Sequence, residues 1–354
     1  MYANARGRRV AAVGAIAAAG ALVLGSCGSG GSTEAAAANG PQAAGGAAQN
    51  YAAVIKGLDN PFFQTMKQGI DDQAKTSGAT VTVQSANSIT DTTGQADKLN
   101  GLAGQDFSCY IVNPISGTNL IQGLAKLSMM NKPVVNIDSP VDPTAAKSAN
   151  VKLATYVGTD NREAGKMAGQ RMTEVLPSGG EVAAIGGIAG DVTSGARIEG
   201  FHQGVGKNVK VVQTVAADWD RQTALTAATN VLRAHPNLAG FFVANDDMGL
   251  GVARAVAVAD AGKTGKIKVI SVDGIKDALQ AVKAGTLEAT VAQYPYTIGQ
   301  MGVEACQAAT SGKTLPASVA APVELVTKST ADKALASTPK PFGPYEDPYK
   351  ALTQ

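Results

Sequence analysis

The sequence predicts an α/β fold with two lobes, each built on a mostly parallel sheet. From Tyr51 to about Val326 the chain repeats one unit, in which a short apolar run is followed by a polar turn and a stretch with helical spacing. Strands that alternate with helices of this length are typical of βαβ units, whose helices cover both faces of a parallel sheet. Because this region of about 275 residues is large for one open sheet, we expect two lobes of about half that size.

Nine apolar runs are predicted as strands. They lie at residues 51–56, 79–84, 107–112, 133–137, 181–185, 208–213, 239–244, 267–272 and 288–292. The segments between the runs have helical periodicity, as Phe63, Met66 and Ile70 show in the first of them. The segment from Ser329 onward is rich in Pro and polar residues, and we expect it to lie along the surface or to be partly disordered.

The N-terminus has the features of an export signal. Arg6, Arg8 and Arg9 precede an uninterrupted small and apolar run from Val10 to Leu24, an arrangement typical of secretory signals. The run is shorter than the roughly 20 residues that a membrane-spanning helix needs. We therefore expect an exported protein rather than one held by a spanning helix.

The end of this signal resembles the lipobox of bacterial lipoproteins, in the residues Leu24-Gly25-Ser26-Cys27. The resemblance implies that residues 1–26 are a signal peptide and that Cys27 is lipidated, which would anchor the protein to the outer face of the cytoplasmic membrane. Ordinary signal cleavage near this point is the alternative. Residues 27–50 are almost wholly small or polar and predict a flexible linker between the anchor and the folded body.

The charge balance argues against a nucleic-acid partner. The chain has 30 Lys and Arg residues against 28 Asp and Glu residues, and three of the basic residues lie in the predicted signal. The folded body is therefore close to neutral and lacks the positive excess that nucleic-acid binding requires.

Two cysteines lie in the folded body. Cys109 belongs to an apolar, strand-like run and Cys306 to a helix-like run. They could pair in an oxidising compartment, but two buried free thiols fit the sequence at least as well. Both alternatives stay open.

Short polar side chains follow six of the predicted strands, at the point where each strand ends. They are Asp59 and Asn60, Asn113, Asp138, Asn245 and Asp246, Asp273, and Gln293. Because ligands of parallel α/β sheets bind outside the carboxyl ends of the strands, we expect these side chains to meet at one site. Amides and carboxylates together donate to and accept from hydroxyl groups, which predicts a neutral polyhydroxylated ligand rather than a phosphate or a metal. Each residue alone also fits a turn or a helix cap.

Aromatic residues make up only 5% of the chain, yet three of them lie beside polar motifs. Phe62 and Phe63 follow Asn60-Pro61, and Trp219, the only tryptophan, lies between two aspartates. Flat rings can cover the apolar C–H patches of a sugar. The helical spacing of Phe63 favours a core role, whereas Phe62 and Trp219 fit core packing and ligand stacking equally well.

Eight short motifs occur in a fixed order along the folded body. They are Lys56-Gly57-Leu58-Asp59-Asn60-Pro61-Phe62-Phe63, Asn113-Pro114, Asn136-Ile137-Asp138, Ala196-Arg197-Ile198-Glu199-Gly200-Phe201, Ala217-Asp218-Trp219-Asp220-Arg221, Ala244-Asn245-Asp246, Val272-Asp273-Gly274 and Val291-Ala292-Gln293. In this order and spacing they resemble the periplasmic ribose/allose-type sugar-binding proteins, the solute receptors of bacterial ABC importers. The resemblance covers residues 51 to 326.

The resemblance implies a type I periplasmic binding protein, in which two Rossmann-like lobes are joined by three hinge crossovers and a sugar lies in the cleft. The implied N-terminal lobe is 51–158 plus 294–324, the C-terminal lobe is 159–293 plus 325–335, and the C-terminal tail is 336–354. The hinge candidates are Thr159-Asp160-Asn161 and Gln293. The implied protein is a monomer without a cofactor or metal, and its partners are a monosaccharide or sugar alcohol and the permease subunits of an ABC importer.

The resemblance also implies which side chains bind the ligand. They are Lys56, Asn60, Phe62, Phe63, Asn113, Asp138 and Ser139 in the first lobe, Arg197, Trp219, Asn245 and Asp273 in the second lobe, and Gln293 beside the hinge. The two carboxylates would accept from ligand hydroxyls and Arg197 would donate to them. A ligand that touches both lobes would stabilise the closed form over the open form.

Residue 139 departs from the ribose-binding pattern, which has Asp-Arg at this strand end. Here Asp138 is followed by Ser139, and serine cannot replace the several donors of a guanidinium group. The substitution therefore argues against ribose itself, within an allose/ribose-like ligand class. Lys56 supplies part of the missing donor capacity, which favours an allose-like hexose, another pentose, or a linear sugar alcohol of the xylitol or threitol kind.

Other functional classes fit the sequence less well. A glycosidase would use Asp138 and Asp273 as an acid/base pair, but carboxylates held by Arg and Asn donors are expected to stay ionised. The glycine-rich segment 186–190 lacks the spacing of a dinucleotide loop. His202 and His235 have no neighbours at metal-ligand spacing, so surface or capping roles are expected for both. A repressor of similar fold would need a helix-turn-helix domain where the export signal stands, whereas a receptor that reports to a signalling partner fits the sequence as an alternative.

Overall fold

The structure, a computed structural model, describes residues 49–259 and 267–353. The predicted signal peptide, Cys27 and nearly all of the predicted linker lie outside the described residues. Within the two described ranges the chain forms twelve strands and twelve helices. The strands are β1 (Asn50–Ile55), β2 (Thr80–Ser85), β3 (Cys109–Val112), β4 (Val134–Ile137), β5 (Thr155–Thr159), β6 (Gly180–Gly186), β7 (Val209–Ala216), β8 (Gly240–Val243), β9 (Lys268–Asp273), β10 (Ala289–Gln293), β11 (Ser318–Ala321) and β12 (Val323–Thr327). The helices are α1 (Pro61–Ser77), α2 (Thr92–Leu102), α3 (Ile121–Met129), α4 (Pro143–Ser148), α5 (Asn161–Val175), α6 (Val192–Gly204), α7 (Arg221–Ala234), α8 (Asp246–Ala259), α9 (Lys276–Ala284), α10 (Pro295–Thr310), α11 (Ala331–Ser337) and α12 (Pro348–Thr353).

The strands form two six-stranded sheets. The first has the order β11-β5-β4-β3-β1-β2 and is parallel throughout, and the second has the order β12-β10-β9-β8-β6-β7, in which β12 alone is antiparallel. Central strands such as β3 and β8 are buried at every residue, because helices cover both faces of a parallel sheet. We call each sheet with its packed helices a lobe, the first and the second in chain order. The predicted two-lobed α/β fold is confirmed.

Aspartate side chains cap the N-termini of three helices in the second lobe. Asp160, Asp191 and Asp220 each accept a hydrogen bond from a backbone N–H of the helix that follows, at α5, α6 and α7. Such caps satisfy donors that the first turn of a helix leaves free. These strand-to-helix turns are therefore fixed locally, while the parallel pairing of the strands places their carboxyl ends at one edge of each sheet.

All nine predicted strands are present, but three further strands were not predicted. Strand β5 has the sequence TYVGT, β11 has SVAA, and β12 has VELVT. None of the three has a long apolar run. β11 and β12 lie at sheet edges, where β11 leaves two residues exposed and β12 is mostly half-buried, and the inner strand β5 contains two threonines and a glycine.

The chain passes between the lobes at three points near the hinge. Asp160 separates β5 of the first sheet from α5, which packs on β9 and β10 of the second sheet. Tyr294 separates β10 from α10, which packs on the first lobe, and Pro322 separates β11 from β12. The three crossovers that the resemblance implied are thus present.

The C-terminal segment crosses the lobes a fourth time. Helix α11 packs on α9 and β12 in the second lobe, whereas α12 packs on α10 in the first. Tyr349 is fully buried in the first lobe, and its hydroxyl lies 2.6 Å from Oγ1 of Thr155. Residues 336–353 are otherwise exposed or half-buried, in line with the expectation that the segment lies along the surface, and Tyr349 anchors its end to the first lobe.

The two cysteines of the folded body are paired in the structure. Cys109 in β3 and Cys306 in α10 form a disulfide, with their Cα atoms 5.7 Å apart. Both residues are fully buried. The bond ties the helix that follows the second crossing to the central strand of the first sheet, across 197 residues of sequence.

We expect reduction of this disulfide to lower the free energy of unfolding by about 2–4 kcal/mol, because the bond restricts the unfolded chain. Thermal unfolding with and without a reductant measures the effect. The protein carries Cys27→Ser, so that Cys109 and Cys306 are its only cysteines. The Cys109→Ala/Cys306→Ala variant is the control and should be insensitive to the reductant. Equal midpoints for the oxidised and reduced protein would contradict the expectation.

Candidate functional site

A cavity lies between the two lobes, at the carboxyl ends of strands from both sheets. Its lining residues are Lys56, Asn60, Phe62, Phe63, Ile89, Ile115, Asp138, Ser139, Ile188, Thr193, Arg197, Trp219, Asn245 and Asp273. Ten of the twelve predicted ligand-binding residues are in this set, so the structure brings them together. Their contact with a ligand stays a prediction.

On the first-lobe side of the cavity, a lysine and a serine are hydrogen-bonded. Lys56 follows β1, and its ammonium group donates to Oγ of Ser139 over 2.7 Å. The same serine oxygen lies 3.4 Å from a carboxylate oxygen of Asp138. All three side chains are buried. Lys56 therefore occupies the neighbourhood of residue 139, as expected from the loss of the arginine there.

The backbone at Asp138 is held in an unusual conformation. Its φ of 59° lies in the left-handed region, which costs free energy for any residue with a Cβ. The hydroxyl of Tyr156 donates to the carbonyl oxygen of Asp138 over 2.6 Å, and the amide of Asn136 donates to the carbonyl oxygen of Ser139 over 2.8 Å. These contacts fix the turn that carries Asp138 into the cavity.

Two asparagines of the cavity also cap helices. Oδ1 of Asn60 accepts from the N–H of Phe62 at the start of α1, and Oδ1 of Asn245 accepts from the N–H of Met248 in α8, each over 2.9 Å. The capping role and the position in the cavity are therefore compatible. Because the cap uses the carbonyl oxygen, each amide NH₂ group stays available as a donor to a ligand.

On the second-lobe side, Arg197 connects several parts of the site. Its Nε donates to Oδ1 of Asn161 over 2.8 Å, and its Nη1 donates to the carbonyl oxygen of Ala244 over 2.6 Å. Nη1 also lies 3.2 Å from Oδ1 of Asp273. Only 4% of the surface of Arg197 is exposed. Its guanidinium group thus joins the first crossing between the lobes to the ends of β8 and β9.

The pKa of the Asp273 carboxyl group is raised. Burial raises its pKa above the ordinary value, the guanidinium group of Arg197 opposes this, and the negative charges of Asp246 and Asp138 raise the pKa further. The amide of Gln293 donates to Oδ1 of Asp273 over 2.5 Å. The direction differs from the expectation that donors alone keep this carboxylate ionised, because burial and neighbouring carboxylates were not visible in the sequence.

Trp219 packs against a glycine at the wall of the cavity. A Cβ at Gly187 would lie 2.0 Å from the indole ring, so the ring lies directly on the backbone there. Trp219 itself has a φ of 62°, and the guanidinium group of Arg197 lies 5.7 Å from the ring centroid. On the opposite side, the rings of Phe62 and Phe63 meet edge to face at 5.2 Å. Aromatic faces therefore border the polar groups from both lobes.

Asn113 and Gln293 are not among the residues that line the cavity. Asn113 is fully buried, and its side chain lies 3.5 Å from Sδ of Met66 and 3.4 Å from the N–H of Ser139. Gln293 faces Asp273. In the structure they support residues of the cavity wall.

Four lining residues were not predicted: Ile89, Ile115, Ile188 and Thr193. They lie on loops or in the first turn of α6, and nothing in their residue types distinguishes them from other apolar or small residues. A related buried residue, Gln95, donates to the carbonyl oxygen of Asn113 over 2.8 Å and accepts from the N–H of Ile115 over 2.9 Å. It fixes the loop after β3, and its role was also missed.

Residues 51–314 match the family described as periplasmic binding protein domain. The chain belongs to the family of periplasmic binding proteins. It is 39% identical over 284 residues to the D-allose-binding periplasmic protein of Escherichia coli strain K12, covering 79% of this chain and 91% of that protein. It is 33% identical over 275 residues to the ribose import binding protein of Bacillus subtilis strain 168, covering 77% and 86%. A periplasmic solute-binding protein of an ABC transporter from Actinobacillus succinogenes 130z, solved with bound D-allose, is 28% identical with a TM-score of 0.75, covering 80% of this chain and 99% of that one.

The predicted family is therefore confirmed. The relatives of this periplasmic binding protein are transport proteins and not enzymes, which agrees with the prediction of a non-catalytic function. The family also agrees with the predicted export to the periplasm. Within residues 49–259 and 267–353, no helix has the length and apolar character needed to cross a membrane, and these residues hold no cluster of three or more His, Cys, Asp or Glu suited to a metal ion.

The two histidines of the periplasmic binding protein lie away from the cavity. His202 is exposed in the last turn of α6. His235 follows α7 as its C-cap, and its Nε2 lies 3.2 Å from Oε1 of Gln213. The expected surface and capping roles agree with these positions.

We expect Gly187→Ala to weaken ligand binding at least tenfold, because the added methyl group must displace the indole of Trp219 into the cavity. The matched control is Gly195→Ala, where a Cβ meets no atom within 4 Å. Tryptophan fluorescence and calorimetric titration with D-allose and xylitol measure the ring environment and the affinity. Unchanged fluorescence and affinity in Gly187→Ala would show that the ring does not depend on this glycine.

Proposed function

We propose that this protein binds a small neutral monosaccharide or sugar alcohol in the cavity between its lobes and delivers it to an ABC importer. The observation that carries the proposal is the balance of charged groups in the cavity. Each lobe contributes one cation and one carboxylate: Lys56 and Asp138 from the first lobe, Arg197 and Asp273 from the second. The formal charges cancel, so the site favours an uncharged ligand that both donates and accepts hydrogen bonds.

The aromatic residues support the same ligand class. Phe62, Phe63 and Trp219 offer flat apolar faces beside the polar groups, and a sugar or polyol presents C–H patches and hydroxyls together. The names of the two relatives, which concern D-allose and ribose, point to monosaccharides. Ser139 in place of the arginine of the ribose pattern, with Lys56 donating to it, favours an allose-like hexose, another pentose or an alditol over ribose.

The mechanism rests on ligand contacts with both lobes. A ligand held by Asp138 and Arg197 at once stabilises the closed arrangement by its differential contacts. The lobes, 51–158 plus 294–324 and 159–293 plus 325–335, would then turn about the crossings that Asn161 and Gln293 flank. The permease subunits of the importer would bind the closed form.

We further propose that the protein is a monomer held at the membrane surface by a lipid on Cys27, with residues 27–50 as the tether. The support is the sequence Leu24-Gly25-Ser26-Cys27 after the apolar run. Metabolic labelling with a fatty-acid analogue tests the anchor, and Cys27→Ser should abolish the label. Labelling of Cys27→Ser at the level of the unchanged protein would contradict the anchor.

A ligand screen tests the proposed function. Aldoses, ketoses and alditols of four to six carbons are titrated while Trp219 fluorescence and the thermal midpoint are followed. A ligand at 100 times its dissociation constant should stabilise the protein by about 2.7 kcal/mol. We expect Arg197→Ala and Asp138→Asn to abolish this shift, and Arg162→Ala, whose guanidinium group pairs with Glu199 on the surface, to retain it. A folded protein that responds to none of these compounds would contradict the proposal.

The role of Lys56 has its own test. A hydrogen bond from a charged donor is worth about 1.5–3 kcal/mol, so Lys56→Met should raise the dissociation constant of the bound sugar about 10- to 100-fold. Lys67→Met is the matched control, because Lys67 pairs with Asp71 on the outer face of α1. Calorimetric titration measures both variants, and equal affinities would remove Lys56 from the site.

A further inference from the structure

A second carboxylate lies behind Asp273 and does not line the cavity. Asp246, the first residue of α8, is fully buried. Its Oδ1 accepts from Oγ of Ser271 over 2.5 Å and from Oγ1 of Thr290 over 2.7 Å, and its Oδ2 accepts from the N–H of Ile275 over 2.9 Å. One carboxylate thus joins α8 to β9, to β10 and to the turn that follows β9.

The turn that follows β9 has an unfavourable backbone conformation, which contacts from other segments must stabilise. Asp273 has a φ of 137° and Gly274 a φ of 75°, both in the region that favours glycine. A Cβ at Gly274 would lie 2.5 Å from that of Ala292, so the turn presses against β10. The N–H of Gly274 lies 3.3 Å from Oγ1 of Thr290, which in turn donates to Asp246. The carboxylate therefore holds the turn both directly and through Thr290.

Burial of a carboxylate is costly unless its oxygens are well satisfied. Neutral donors satisfy the oxygens of Asp246: two hydroxyl groups and one backbone N–H donate hydrogen bonds to them. A helix start alone does not require such a buried charge, since Asp247 beside it lies nearer the surface and pairs with Arg221 over 2.7 Å. The donors of Asp246 come instead from β9 and the turn after it, which carry Asp273, and from the neighbouring strand β10.

We propose that Asp246 is a positioning residue for ligand binding, which fixes the turn that carries Asp273 and the start of α8 that carries Asn245. The inference rests on the proposed sugar site, since it concerns the affinity of that site. Asp246 touches no ligand in this proposal. It acts by holding the Asp273 carboxylate against Arg197 and by its charge.

The charge of Asp246 gives the proposal a signature in pH. Three charged groups face the Asp273 carboxylate: Arg197 from α6, Asp246 from α8, and Asp138 from the first lobe. Arg197 lowers the pKa of Asp273, whereas the two carboxylates raise it. Ionised Asp273 accepts from a ligand hydroxyl, so binding is lost as the pH falls through this pKa. Without the charge of Asp246 the pKa of Asp273 falls, and binding persists to a lower pH.

The first measurement is amide hydrogen exchange on the ligand-free protein. In Asp246→Ala we expect the N–H groups of Gly274 and Ile275 to exchange at least tenfold faster, while core amides of β8 keep their rates. Asp246→Asn should retain protection, because its amide oxygen still accepts from Ile275. Asp247→Ala is the matched control and should leave both rates unchanged. Unchanged exchange in Asp246→Ala would overturn the proposal.

The second measurement is calorimetric titration with D-allose and xylitol from pH 5 to pH 9. We expect Asp246→Ala to weaken binding at least tenfold, and Asp246→Asn to shift the pH midpoint of binding downward at nearly full affinity above the midpoint. An unshifted midpoint would overturn the electrostatic part. If Asp246→Ala does not fold, Thr290→Val replaces it, because that change removes the donor that links Asp246 to Gly274.

The two measurements separate this inference from the proposed function. If the unchanged protein binds neither these probes nor any other sugar or polyol, the proposed function fails, and the exchange rates still decide whether Asp246 holds the turn. If the protein binds a sugar but Asp246→Ala binds it equally well, the positioning role fails and the proposed function stands.

Discussion

The hydrogen bonds of the Arg197 guanidinium group hold together the part of the site that the second lobe contributes. The group is buried, and it donates to Asn161, to the carbonyl oxygen of Ala244 and to Asp273. An unpaired charge at this depth would be strongly unfavourable, so each partner is needed to keep the group in place. Asn161 follows the first crossing between the lobes, which means that the same side chain that faces the cavity is tied to the hinge. In the proposed function, ligand contact and lobe movement would therefore share one residue.

The other crossings impose a further constraint on movement. Three of them lie close together as single residues between consecutive elements, and the C-terminal segment makes a fourth connection through α11 and α12. The burial of Tyr349 and the disulfide between Cys109 and Cys306 both strengthen the first lobe beside α10. The first lobe is thus braced where the second crossing enters it, so that the rotation proposed above would be concentrated in the short links.

The amino-acid sequence predicted well which residues lie at the carboxyl ends of the strands, and predicted poorly the contacts that these residues make. Asp138, Asn245 and Asp273 could be expected at the site because a residue directly after a parallel strand lies at the ligand-binding edge. Position at the edge does not decide which way a side chain points. Asn113 also follows its strand, yet it turns towards Met66, because the direction depends on backbone angles set by neighbouring segments.

The same limit explains the other differences. The disulfide and the buried Tyr349 each join positions far apart in the chain, and Asp246 draws its donors from β9, from the turn that follows it and from β10. No local pattern encodes such contacts. The strands β11 and β12 were missed for a related reason, since an edge strand whose residues are exposed or only half-buried has no continuous apolar run.

Three residues of the cavity wall have positive backbone φ angles without being glycine: Asp138, Trp219 and Asp273. Such conformations cost about 1–3 kcal/mol each and persist only where the surroundings enforce them. Each has its own support, since Tyr156 donates to the carbonyl oxygen of Asp138 and Gly187 makes room for the ring of Trp219.

The turn after Asp273 is the third case, because Asp246 accepts from the N–H of Ile275 there. Each of these supporting contacts lies within a single lobe and does not involve a ligand. A ligand bound as proposed would meet side chains that are already oriented, and little of its binding free energy would be spent on ordering them. What remains to be supplied by the ligand is the closure of the lobes, which is the step that a transport receptor must make conditional on its cargo.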